Sequence, residues 1–297
     1  MQLAFSVVLT SGLVVGLPDN NPVLRQLVEQ GIPAGNGEAV KLPSPTMPDG
    51  LDRAAQQEVL AKVAAPNRRV ADLVRKSVVS PFVLKLGDAA TKDATRPFRT
   101  IDLWFIAHGR LELFGQQDFL QRLVETAEAS KQGRLPFSKG ILDREEMKQL
   151  GLKVEDQPDR IERYFYSTFG LFDRVLVSAT RRVVVTRGPE SVIVAAIIDP
   201  RFTKSAAHPN QWRPVVRNER GEPELGPPHD YEAAGLYAKV TRLKEPDGAL
   251  FIEYHHAFCE PEAWFKGTAL LRSKLPMVVQ DGVRKLRRRL HEADDTE

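Results

Sequence analysis

One short stretch of the chain gathers His255, His256, Cys259, Glu260 and Glu262, and imidazole, thiolate and carboxylate are all zinc ligands. The spacing works against that use. Leu250, Ile252, Tyr254, His256 and Phe258 alternate with other residues as on a strand, so His255 and His256 point to opposite faces. His255 and Cys259 share a face, but at about 3.3 Å per residue they stand about 13 Å apart, beyond the reach of one zinc ion. The sequence therefore calls for neither a metal nor another cofactor. His256 falls on the apolar side of the strand and projects inward with Tyr254. It reads as a hydrogen-bonded core histidine, or as a polar handle or general base facing a ligand.

Three other residues invite the same question. Arg181 interrupts the alternation of Val177, Ala179, Val183 and Val185. It reads as a strand-end charge at a bulge, with an inward-facing ligand anchor as the alternative. Asp102 and His108 share one strand face, and no serine is placed to complete a nucleophilic triad with them. His108 and Trp104 are assigned to the outer face of the sheet or to a contact with the N-terminal segment. No Walker-type loop, dinucleotide glycine fingerprint, H-E-x-x-H or C-x-x-C is present.

The elements that must position these residues follow from periodicity. Residues 19–50 are dense in Pro, Gly and Asn and predict a linker or wrapping arm, broken at most by a short helix over Val23–Gln30. Leu51–Lys76 predicts two short helices separated at Pro66. Strands are expected over Val78–Leu86 and Arg99–Leu113, where Ile101, Leu103 and Phe105 face a core, and helices over Gln117–Ser130 and Leu142–Leu150. Val175–Val185 and Ser191–Ile198 predict a hairpin, as do Ala233–Leu243 and Ala249–Phe258; Trp212–Arg217 adds a short strand. A final helix over Pro261–Leu290 carries an apolar stripe of Trp264, Leu271, Leu275, Val278 or Val279, Val283, Leu286 and Leu290, with Arg272, Lys274, Asp281 and Lys285 opposite. Pro276 lies inside it.

Composition sets the outer bounds. A chain of 297 residues with 42% hydrophobic and 27% charged residues can bury a substantial core without disulfides. With 42 Lys and Arg against 39 Asp and Glu, its net charge of +3 gives little field to attract nucleic acid. The basic run Arg284–Arg289 precedes Glu292, Asp294, Asp295 and Glu297 and reads as a solvated helix end. Residues 1–18 are apolar and uncharged. They suggest an export signal or anchor and an envelope location with possible contact to a membrane surface, the alternative being a buried element of a cytoplasmic protein.

From Val78 to Leu290 the expected order is strand, strand, helix, helix, about five antiparallel strands and a long helix. With the passage ALFIEYHHAFCEPEAWFKGTALLRSKLPMVVQDGVRKLRRRL, this order resembles the helix-grip superfamily (SRPBCC) of START-type lipid-transfer domains, polyketide cyclases and pollen-allergen-like proteins. The fold expected is α+β: a curved antiparallel sheet gripping a C-terminal helix over residues 78–292, with an extra N-terminal helical arm over 19–77 and an acidic tail over 293–297. The resemblance implies a pocket between sheet and helix for a lipid or another apolar molecule, and sets His256, Tyr254, Arg181, Ile252, Phe258, Phe105, Leu271 and Leu275 as ligand contacts. An enzyme of cyclase or hydrolase type, or a pocketless envelope-associated structural protein, are the other readings open on the same fold.

Overall fold

The structure, a computed structural model, describes residues 20–35, 38–64, 69–89, 97–116, 139–152, 154, 157–231, 233–261, 264–265 and 270–294, the side chains of Leu271 and Asp294 aside. The apolar stretch 1–18, Pro66, the helix expected over Gln117–Ser130, and Glu262 lie outside them. The chain enters through a short helix α1 (Pro22–Arg25), continued as a π-helix to Gln30, and a small hairpin of β1 (Ile32–Gly35) and β2 (Glu38–Val40). Helices α2 (Arg53–Ala64) and α3 (Val70–Leu73) follow, then β3 (Phe82–Ala89), β4 (Phe98–His108) and β5 (Lys139–Ile141). Helix α4 (Arg144–Gln149) opens on a capping box, Asp143 accepting from the Glu146 amide and Glu146 from the Asp143 amide, each at 2.8 Å. The remaining strands are β6 (Arg160–Leu171), β7 (Val175–Arg187), β8 (Ser191–Ile198), β9 (Gln211–Arg217), β10 (Pro223–Leu225), β11 (His229–Asp230), β12 (Ala234–Arg242) and β13 (Ala249–Cys259). Helix α5 (Leu270–Asp294) ends the described chain.

Eleven of the described strands form one antiparallel sheet, running β3, β4, β13, β12, β8, β7, β6, β5. Past the end of β8, the first residues of β7 pair instead with β9, which carries β10 and β11. Register fixes the faces. Ile252 lies opposite Phe105, Tyr254 opposite Leu103, and His256 opposite Ile101 and Leu236. On this inner face Leu103, Phe105, Ala107, Val192, Val240, Leu250 and Ile252 pack with Val283 and Leu290 of α5.

The outer face is also covered. Met47, Leu60, Ala64 and Leu73 from the N-terminal segment pack over Trp104, Ile106 and Phe251, while Val23, Leu24, Leu27 and Ile32 join the cluster of Ala195, Ile197, Tyr237 and Ala257. Gly235 marks how near the chain comes: a β-carbon there would stand 2.5 Å from the Leu27 side chain. The stretch expected as a linker or arm is thus a packed layer holding both helix and hairpin.

Several expectations change in detail. The first strand begins at Phe82, because Val78 and Val79 occupy a turn and Pro81 has no N–H for a ladder. The second ends at His108, since Gly109 at φ +152° turns the backbone where a β-carbon would meet Leu290 at 3.1 Å, and Leu111–Gly115 then coils as a 3-10 turn. Arg181 sits at no bulge: β7 pairs in unbroken register with β6 on both sides of it, and its pairing with β8 begins at Arg181 itself. Arg287, read as part of a solvated helix end, is 5% exposed.

In the stripe of α5, Val283 and Leu290 are buried, Leu275, Val279 and Leu286 are half-buried, and Val278 is 56% exposed. Docking is therefore tightest at the C-terminal half. Leu290→Asp should lower unfolding free energy by about 3 kcal/mol or more, because a carboxylate there must be desolvated or protonated. Lys274→Ser on the exposed face should change it by no more than about 0.5 kcal/mol. Denaturant titration of the two variants checks this, and equal losses would refute docking through Leu290.

Candidate functional site

The inner face carries a polar cluster within apolar surroundings. Tyr254 and His256 are neighbours on the same side of β13, with Tyr254 Oη 3.2 Å from His256 Nδ1 and their rings edge-on at 5.9 Å. The Phe258 ring lies 5.0 Å beyond the imidazole. Both polar residues remain half-buried rather than sealed. Yet burial pushes the His256 pKa down to about 3, the positive charge of Arg181 adding to the effect, and pushes the Tyr254 phenol up to about 12. Both side chains are thus crowded enough to lose their charged forms while part of each stays exposed. At neutral pH the imidazole is uncharged and can accept a hydrogen bond from the phenol at Nδ1, which places its own N–H at Nε2.

Arg181 comes to this face from β7. It donates to Ser167 Oγ at 2.7 Å and its guanidinium lies 5.7 Å from the centre of the Phe169 ring. The inward-facing alternative of the sequence thus describes its geometry. Ile252 and Phe105 are buried in the inner core, and Phe258 is buried at its margin. Leu275 is half-buried against the same margin, while the side chain of Leu271 lies outside the described residues.

The other candidates go elsewhere. His108 faces Val74 O at 3.0 Å and Trp104 donates to Thr46 Oγ1 at 2.9 Å, so both meet the N-terminal segment, as expected. Asp102 holds His255 Nδ1 at 2.7 Å on the outer face. Among the described residues no group of three or more His, Cys, Asp or Glu is placed to hold a metal ion.

Sequence reasoning missed a second buried network, beneath the N-terminal layer. Glu253, fully buried, accepts from the Thr46 amide at 2.6 Å and the Met47 amide at 3.3 Å. Its cross-strand partner Lys239 donates to Met47 O at 2.6 Å and pairs with Asp49 at 2.8 Å. Burial opposes a charge on His255, but its bond to Asp102 and the negative charges of Asp102 and Glu253 outweigh that, and its pKa rises. In the sequence these residues hold the outward positions of two strands and look solvated; only their spacing opposite one another hinted at a pair.

Two recesses among the described residues lie away from Tyr254. One of about 300 Å³ runs between residues 78–82 and α5; one of about 80 Å³ lies beside Asn20, Asp49 and Gly188. No described helix is long and apolar enough to cross a membrane.

No family model matches the chain, and no curated protein matches it. Among solved structures, a conserved protein from Geobacillus kaustophilus is similar at 9% identity, over 65% of this chain and 96% of that one, with a TM-score of 0.33. CalU16 from Micromonospora echinospora is similar at 10% identity, over 72% and 95%, with a TM-score of 0.23. The similarity is distant in both cases.

The His256 pKa has a consequence for stability. The unfolded chain binds that proton near the ordinary pKa of about 6.5, the folded one only near 3. The residue's contribution to stability is complete above pH 6.5 and is lost as pH falls toward 3, by up to about 1.4 kcal/mol per unit. Between pH 7 and pH 5, urea denaturation should show His256→Phe gaining about 2 kcal/mol relative to wild type. A parallel decline of the two proteins would mean that His256 is not held neutral by burial.

Proposed function

We propose that the chain binds a hydrophobic small molecule or lipid on the inner face of its sheet, beneath the N-terminal half of α5, as the helix-grip proteins its sequence resembles do. The observation that carries this reading is the pair Tyr254 and His256, deep enough to be held neutral but still accessible, set in a wall of Ile101, Leu103, Ile252 and Phe258. Apolar walls with few, fixed polar groups are what a site for an apolar ligand requires. The order of strands from β4 through β13 into α5 suits that fold, and the half-buried Leu275 and Val279 leave the helix less tightly seated over this part of the sheet than at Val283 and Leu290.

A cyclase or hydrolase would need a base. Imidazole with a pKa near 3 has little basicity at neutral pH, so the polar pair suits orientation of a head group better than proton abstraction.

Native mass spectrometry and organic extraction of the purified protein should reveal a co-purifying apolar ligand, and a fluorescent fatty acid or sterol should bind. Tyr254→Phe and His256→Phe should each weaken probe binding by about tenfold, the cost of leaving a buried polar group of the ligand without its partner. A ligand-free protein that also binds no probe would overturn the reading.

A further inference from the structure

The groove of about 300 Å³ between residues 78–82 and α5 has an unusual floor. Arg287 lines it and is nearly fully buried, its guanidinium donating to Ile106 O at 2.9 Å, Val78 O at 3.2 Å, Pro81 O at 3.1 Å and, more closely still, Ser80 O. Carbonyl oxygens satisfy hydrogen bonds but carry no net charge. Among the described residues no carboxylate pairs with this cation, and one of its five N–H groups has no partner. Arg284, one turn earlier on the same wall, is half-buried and also lacks an ion pair among the described residues. Val78, Val79, Pro81, Phe82 and Val283 add apolar surface to a lining that also holds Ser80 and Gln280, with Val79 62% exposed at the surface.

We propose that this groove is a binding site, separate from the inner face, for a small amphipathic carboxylate whose head meets Arg284 and Arg287 and whose alkyl chain lies along Val79, Phe82 and Val283. A buried cation without a counter-ion attracts an anion strongly, because little water screens it. A monoanionic carboxylate suits the place better than phosphate. It presents two oxygens to guanidinium groups and sheds less hydration than a phosphate on entering the groove. The volume is at the lower end of that of small-molecule sites, which limits the chain to a short one.

The test uses octanoate as probe, followed by calorimetry and by the methyl resonances of Val79 and Val283. Octanoate should bind, shift both methyl sets, and do so about tenfold more tightly than octanol, acetate or inorganic phosphate, each of which lacks the tail or the matching head. Arg284→Gln and Val79→Asp alter accessible positions, so both should melt like wild type while weakening octanoate by about tenfold, the first by removing a cation and the second by adding a like charge. His256→Phe, on the inner face, should leave octanoate bound at the groove. Octanoate binding that survives both groove variants, or is lost only with His256→Phe, would overturn the proposal while leaving the inner-face reading intact. Phosphate binding as tight as octanoate would also overturn it, in favour of a plain oxyanion site.

Discussion

A guanidinium that has left water must replace most of the hydrogen bonds water gave it, and the way Arg287 does so fixes the position of α5. The ladder between β3 and β4 starts at Phe82 and Phe105, so the Ile106 carbonyl on β4 and the carbonyls of residues 78–81 have no strand to meet. Arg287 reaches them from the helix, and its charge lies over the Phe105 ring at 5.6 Å. Desolvation lowers its pKa to about 10, which still leaves it charged at neutral pH. Helix, edge segment and the strand beside the edge are thereby tied at one point, and Leu290, one turn on, settles against Gly109. Packing alone would let an apolar stripe slide along an apolar face; four directional bonds to fixed carbonyls do not permit sliding.

The outer face answers the same physical demand with the opposite charge. Glu253 cannot be hydrated beneath the N-terminal layer, so it takes two backbone amides of that layer, and Lys239 takes the Met47 carbonyl and Asp49. Buried ion pairs contribute little net stability compared with apolar packing, but losing one partner strands the other. Their effect here is positional: they register residues 43–50 over β12 and β13, with Tyr237 donating to Pro43 O at 2.8 Å as a further pin.

This arrangement explains which parts were readable from sequence. The β7–β8 and β12–β13 hairpins and the inward alternation of Ile252, Tyr254 and His256 were legible, because a two-residue period survives whatever covers the face. So was the docking of Val283 and Leu290. Arg287 was not, since a basic run near a helix end looks solvated unless the neighbouring carbonyls are known to lack partners. Lys239 and Glu253 were hidden for a similar reason: their burial is produced by a Pro-rich segment almost two hundred residues earlier in the chain. The turn between β6 and β7 also escaped notice. It places Phe172 and Asp173 at positive φ of 51° and 54°, where a bulky aromatic is uncommon, and the Phe172 ring is held against Phe265 at 6.0 Å. Local preference there yields to tertiary contact.

The contrast between the two halves of α5 bears on where the proposed ligand would enter. Where a helix is both clamped by directional bonds and packed by Val283 and Leu290, opening a space means breaking several interactions together. Toward Leu270 the restraints thin out: Leu275 and Val279 are half-buried, and Met277 is 63% exposed. Opposite that looser half, the sheet presents Tyr254 and His256 instead of more Leu and Val. Two neutral polar groups facing each other satisfy a single hydrogen bond and leave further capacity in both the ring and the phenol. In a site meant only for stability, apolar side chains of the same size would pack with less demand for partners. Polar capacity placed opposite the less restrained half of the helix is what the proposed binding face would need, and it lies away from the Arg287 clamp, so occupying it would not loosen the fold at Val283 and Leu290.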